Sequence, residues 1–391
     1  MKRTAIYLAL GLVLALLVAA CGGGGSSSSE PIKVGAIFDL TGPTGDVGTP
    51  YANGVRGYVD WLNGQGGIDG RQIDLKWQDY QYKVDTAEQL YSQYVSEGIV
   101  AFMGWGTGDT EALRTRITED EIPFMSASYS EALTNAAETP YNFVVATSYS
   151  DQMRIALKWI SENYSGHAEI AVFHHDSPFG LSPVADGAAY IQSKGLDMGY
   201  ADYAMPGGAT DYLAELTQAK SQGVTHIIVQ NVSSPAALLA RDVKGQGLDV
   251  TMICLNWCAD EGFVNLAGDA AEGVMGVLPW ASVQSNDPGF KTPSEYLASK
   301  GDSLADEGLH YTQGWYTMAA MAQAIKNVVD AGDEVTGPAI KAALEAMSSF
   351  DTGGVSATIG FSPTSHKGMP GAGIYQVENG IWTRVIGEMT P

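Results

Sequence analysis

Three evenly spaced glycines, Gly42, Gly45 and Gly48, follow a short apolar run at residues 32–38 and precede a helical pattern. In a strand–loop–helix unit of this kind, backbone N–H groups at the strand's carboxyl end face a ligand. The spacing is G-x-x-G-x-x-G, not the dinucleotide G-x-G-x-x-G, and no Gly-Lys-Ser/Thr follows to place a lysine on a phosphate. Nucleotide binding is therefore not expected. Amide groups and threonine hydroxyls beside a helix start suit a carboxylate or a neutral polar ligand instead. His174, His175 and Asp176 have the chemistry of metal ligands. Adjacent strand residues point to opposite faces, however, and no third ligand stands at a suitable spacing, so a structural role is expected and no metal or cofactor is implied. No G-x-S-x-G elbow and no zinc spacing is present, which leaves a hydrolase only as the alternative to a binding protein.

The elements that would position these residues alternate along the chain. Apolar runs rich in β-branched residues predict buried strands near 32–38, 73–77, 99–103 and 122–125. Helical spacing predicts helices near 50–63 and 87–95, and one capped by Asp109 or Thr110 that runs to about 119. Residues 39–48 read as a loop too rich in glycine to be helical. A second series starts near 148. Its strands are expected near 170–173, 198–203, 226–229 and 250–253, with helices near 153–162, 184–193, 212–221 and 236–243. Residues 278–281 read as a return crossover, followed by helices near 294–299, 311–329 and 338–346. Asn379-Gly380 between two alternating runs predicts a closing hairpin.

The expected fold is α/β, with two doubly wound Rossmann-like lobes, a multi-strand hinge and a ligand cleft between them. The lobes are expected over 31–147 with 282–356, and over 148–281 with 357–391. Loops at strand ends, near 105–109, 126–130, 174–180, 230–233 and 254–258, should converge on the cleft.

A resemblance sharpens this reading. The strand at 32–38, then Thr41-Gly42-Pro43, Asn53-Gly54 and Asn63-Gly64-Gln65-Gly66-Gly67-Ile68-Asp69-Gly70-Arg71, resembles the opening of the branched-chain amino-acid-binding proteins. Those are extracytoplasmic receptors of ABC importers with the two-lobed type I periplasmic binding fold. The likeness implies that Thr107, Ala127 and Tyr129 lie on loops that grip a ligand carboxylate. Trp105 is either a lid on the ligand or a buried aromatic. Phe179, before Gly180, falls at an aromatic contact, Val232 at the end of the next strand, and Tyr311 at an aromatic contact on a returning helix. Asn265-Leu266-Ala267-Gly268 also matches, which puts Asn256, beside Trp257, where leucine-type receptors carry a glutamate facing the ligand's ammonium. Asparagine cannot neutralise that charge, and a buried unpaired charge is costly. Either Asp109 or Asp260 takes over, or the ligand is an aromatic carboxylate or neutral amide with no ammonium.

The first twenty residues read as a targeting leader, with Lys2 and Arg3 ahead of an apolar core at 6–18. Leu17-Val18-Ala19-Ala20-Cys21 resembles a lipobox, in which Cys21 would be acylated, and the Gly/Ser tether through residue 30 would be a leash. The expected location is thus the periplasm or the outer face of the cell membrane, held by lipid. In that oxidising setting Cys254 and Cys258 would form a disulfide, two free thiols being the alternative. Net charge is −23, or −25 without the two leader cations, which disfavours nucleic acid and anionic lipid heads. The expected partners are a small ligand and the permease subunits, with the chain itself a monomer.

Overall fold

The computed structural model describes residues 30–391; the leader, Cys21 and nearly all of the tether lie outside the described residues. The first sheet holds β1 (Ile32–Phe38), β2 (Ile73–Asp79), β3 (Ala101–Gly104), β4 (Phe124–Ser126) and β5 (Asn142–Phe143). Its order is β2-β1-β3-β4-β5 and every pairing is parallel. The second holds β6 (Ala168–His175), β7 (Met198–Met205), β8 (His226–Gln230), β9 (Thr251–Cys254), β10 (Met275–Leu278), β11 (Ala372–Glu378) and β12 (Ile381–Met389). Its order is β12-β11-β10-β9-β8-β6-β7. β6 to β10 pair in parallel, and β11 and β12 close one edge as an antiparallel hairpin. Asn379 (φ 55) and Gly380 (φ 75) turn that hairpin with the positive angles that asparagine and glycine tolerate best.

Three crossings join the sheets, and they pair with one another. Val144 bridges to Lys367, and Trp280 bridges to Ser356. His366 N donates to Thr134 O (3.0 Å) and Gly368 N to Val144 O (2.7 Å), so the stretch before β11 lies against the first sheet's side.

Two helix starts differ from the expectation. The first helix spans Gly45–Gly64, with Pro50 inside it, so the glycine-rich stretch is partly helical. A Cβ on Gly48 would sit 2.0 Å from Asp39 O, and one on Gly45 would sit 2.5 Å from Leu40 O. These glycines let the first turn rest on the strand-end backbone, a tertiary contact that outweighs weak helix propensity. Asp39 fixes the same turn, accepting from Gly42 N (2.6 Å), Thr44 N (2.8 Å) and Thr44 Oγ1 (2.7 Å). The helix expected to be capped by Asp109 or Thr110 begins at Thr107, with Gly106 as its N-cap residue.

The long helix Leu304–Ala331, kinked at Gly308 (φ 76), returns to pack on Gly45–Gly64. Their crossing is set by two glycines. A Cβ on Gly54 would lie 1.9 Å from Tyr311 O, and one on Gly314 would lie 2.1 Å from Tyr51 O. Gly54→Ala and Gly314→Ala should therefore each destabilise the chain by about 1–3 kcal/mol through overpacking. Helix propensity alone predicts a gain of about 1 kcal/mol, so urea unfolding separates the two effects by sign.

Candidate functional site

Loops from the carboxyl ends of both sheets enclose a narrow cavity of about 20 Å³. The first sheet contributes Thr44 and Val47 after β1, Tyr82 after β2, Trp105 to Thr107 after β3, and Ala127 after β4. The other wall carries Phe179 after β6, Val232 after β8 and Trp257 after β9, with Tyr149 opening the helix Tyr149–Asn163. A larger hollow, about 770 Å³ and lined by Trp159, Val243 and Met275 among others, lies at the amino ends of β9 and β10. It is remote from the strand ends, where ligands of open α/β sheets bind.

Hydroxyls and indole N–H groups form the polar part of the cavity wall. Trp105 Nε1 donates to Thr44 Oγ1 (2.9 Å), which itself donates to Asp39. Thr107 Oγ1 and Ser128 Oγ share a bond of 2.7 Å, and Trp257 Nε1 donates to Tyr149 Oη (2.8 Å). Burial pushes the Tyr149 and Tyr82 phenols well above their ordinary range, so both are neutral at physiological pH.

Trp257 lies at the centre of the aromatic wall. It stacks on Tyr129 (5.6 Å, 28°) and on His310 (5.0 Å, 23°), and meets Trp105 edge-on (5.2 Å, 64°). Tyr51 touches it from the first helix at 6.1 Å.

The residues singled out from sequence divide into two sets. Trp105, Thr107, Ala127, Phe179, Val232 and Trp257 line the cavity together, and Tyr129 stands behind Trp257. The other four do not line it. Tyr311 faces the outer side of the first helix, near Gly57 and Trp315, and lines a separate surface groove. Asn256 is buried, its Oδ1 accepting from Gln313 Nε2 (2.9 Å) and its backbone N donating to Gln152 (3.0 Å). Asp109 accepts from Tyr80 Oη (2.8 Å), and burial raises its pKa to about 7. Asp260 caps the helix Glu261–Ala267 through Phe263 N (2.7 Å) and also accepts from Ser233 Oγ (2.7 Å). The expected disulfide is not formed. Cys254 and Cys258 are buried free thiols, and Cys258 Sγ is aimed at the Val229 and Leu255 carbonyls. Sequence reasoning missed Thr44, Val47, Tyr82 and Tyr149. Thr44 was within reach, since a threonine hydroxyl beside a glycine-rich helix start was already the chemistry read for that loop.

Behind Trp257, His310 Nε2 lies 2.9 Å from Asp260 Oδ2, both groups almost fully buried. Burial opposes both charges, but the contact wins: it holds Asp260 below its ordinary 3.8 and His310 above its ordinary 6.5. Glu261, raised by burial and by Asp260's charge, and Asp46 are the other acids facing the pair. His310 contributes stability that is complete below 6.5 and is lost as pH rises through its raised value; Asp260 contributes stability that is complete above 3.8 and is lost as pH falls through its lowered value. Asp260→Asn should therefore cost about 3–5 kcal/mol near pH 5.5, and less on the alkaline side as His310 discharges. Urea unfolding of parent and variant from pH 5 to 9 measures that narrowing gap.

Comparison with known proteins agrees with this geometry. The family described as "Periplasmic binding protein" matches residues 31–381. The leucine-, isoleucine-, valine-, threonine- and alanine-binding protein of Pseudomonas aeruginosa is 24% identical over 322 residues, 80% of this chain and 83% of the relative. A branched chain amino acid ABC transporter structure from Thermus thermophilus, with bound valine, superposes with TM-score 0.88 at 26% identity, covering 93% of this chain and 97% of that one. An ABC transporter substrate binding protein from Aeropyrum pernix gives TM-score 0.83 at 30% identity over 92% and 96% of the two chains. With two mostly parallel α/β sheets, three crossings and a cavity at the strands' carboxyl ends, the chain belongs to the periplasmic binding protein family.

Proposed function

We propose that the chain is a lipid-anchored, extracytoplasmic receptor of an ABC importer, which captures a small amino-acid-like solute by lobe closure and hands it to the permease. The observation that carries this reading is the cavity whose wall is shared between the two sheets. Relatives named for branched-chain amino acids support the solute class, and their role as solute-binding proteins supports a receptor rather than an enzyme. The lobes we assign are 31–147 with 282–371 and 148–281 with 372–391, because the stretch at 357–371 bonds to the first sheet's side.

Contacts that form only when the lobes meet supply a closing mechanism. Ser234 N (2.9 Å) and Oγ (2.6 Å) donate to Asp46 across the cleft, and Leu309 N donates to Glu261 (3.0 Å). Each is a short polar contact that hinge opening would return to water at modest net cost. Small-angle scattering should show a modest drop in radius of gyration when a tight solute is added. An unchanged radius at saturation would contradict capture by closure. For the anchor, Cys21→Ala should move the chain from the membrane to the soluble fraction, since acyl chains would be its one apolar attachment; a variant that stays membrane-bound contradicts the lipoprotein reading.

A further inference from the structure

The cavity wall described above contains no carboxylate and no basic side chain. An α-amino acid brings two charges into such a site, and each must be met there or left at a cost of several kcal/mol. For an acyl head, partners are at hand in the hydroxyls of Thr107 and Tyr149 and the amides that open the helix Thr107–Glu119. For an ammonium the wall offers aromatic faces but no carboxylate to neutralise it. Four carboxylates lie nearby, and none of them lines the cavity. Asp39 accepts three bonds from Gly42 and Thr44. Asp46 holds Ser234, and Asp260 holds His310, Ser233 and Phe263 N. Asp109 accepts from Tyr80 and, raised to about 7 by burial, is only partly ionised at neutral pH. Asn256, at the position discussed above for ammonium pairing, is turned to Gln313.

The rest of the wall, Val47, Ala127, Phe179, Val232 and the indoles, is apolar. We infer that the solute is an apolar acyl compound, a carboxylate or carboxamide that carries no α-ammonium. This rests on the receptor reading and narrows it.

Calorimetry on the full chain with isovalerate, isovaleramide, leucine and valine tests it. At least one of the two acyl compounds should bind at least about tenfold tighter than either amino acid, a gap of about 1.4 kcal/mol. Which of the two binds tells whether the head is charged or neutral. Leucine or valine binding as tightly as both acyl compounds would overturn the inference while leaving the receptor reading intact. Silence from both acyl compounds up to about 1 mM, a standard free energy of about −4.1 kcal/mol, would also overturn it. The receptor reading itself falls only if a broad solute panel leaves both melting temperature and radius of gyration unchanged.

Discussion

The site depends on one side chain that crosses the seam between the lobes. Trp257 leaves the second sheet on a single 3₁₀ turn, Asn256–Cys258, and inserts among Tyr51, Trp105 and Tyr129 of the first lobe. One aromatic of this size buries on the order of 150–250 Å², more than any polar contact across the seam contributes. It also forms part of the cavity wall, so the surface that holds the lobes together is the surface a solute would touch. Its N–H is satisfied by Tyr149, and its far face is covered by His310, whose charge is balanced by Asp260. The seam is thus apolar at the cavity and ionic one layer behind.

Backbone proximity positions the first lobe's half of that wall. Gly45 and Gly48 bring the first helix onto the end of β1, which sets Thr44 where Trp105 can donate to it. Gly54 and Gly314 then lock the long helix Leu304–Ala331 against the same helix, and that long helix delivers His310 and Gln313 to the seam. Small residues act here as spacers: each removes a Cβ so that two backbones can approach, and the ordered loops follow from the approach.

Strands such as β1, β3 and β8 were legible because central parallel strands are apolar on both faces, and the hairpin because Asn379-Gly380 demands positive φ. β5 has two residues, too few to show any period, and its pairing to β4 is a tertiary fact. The helix start at Gly45 was misread because local propensity carries no information about a strand end lying 2.0 Å from a missing Cβ. Six cavity residues were found from loop position and family likeness. Tyr311 lines a separate surface groove, because likeness fixes a residue along a helix but not which side of it meets the cleft. Asn256 and Asp260 lie at the seam bonded to Gln313 and His310, which arrive from a segment some fifty residues later and are visible only in the folded chain. Cys254 and Cys258 are close in sequence and in space, yet both are free thiols, with the Val229 and Leu255 carbonyls within reach of Cys258 Sγ.

On the proposed function, both lobes would meet the solute at once, through indoles on opposite walls of one cavity. Fluorine NMR on the chain labelled with 5-fluorotryptophan tests it directly, with the eight resonances assigned by Trp-to-Phe variants. On addition of saturating isovalerate or valine, the Trp105 and Trp257 signals should both move while that of Trp159, beside the distant hollow, stays in place. Movement of Trp159 alone, or of only one of the two cavity indoles, would contradict a solute held between the lobes.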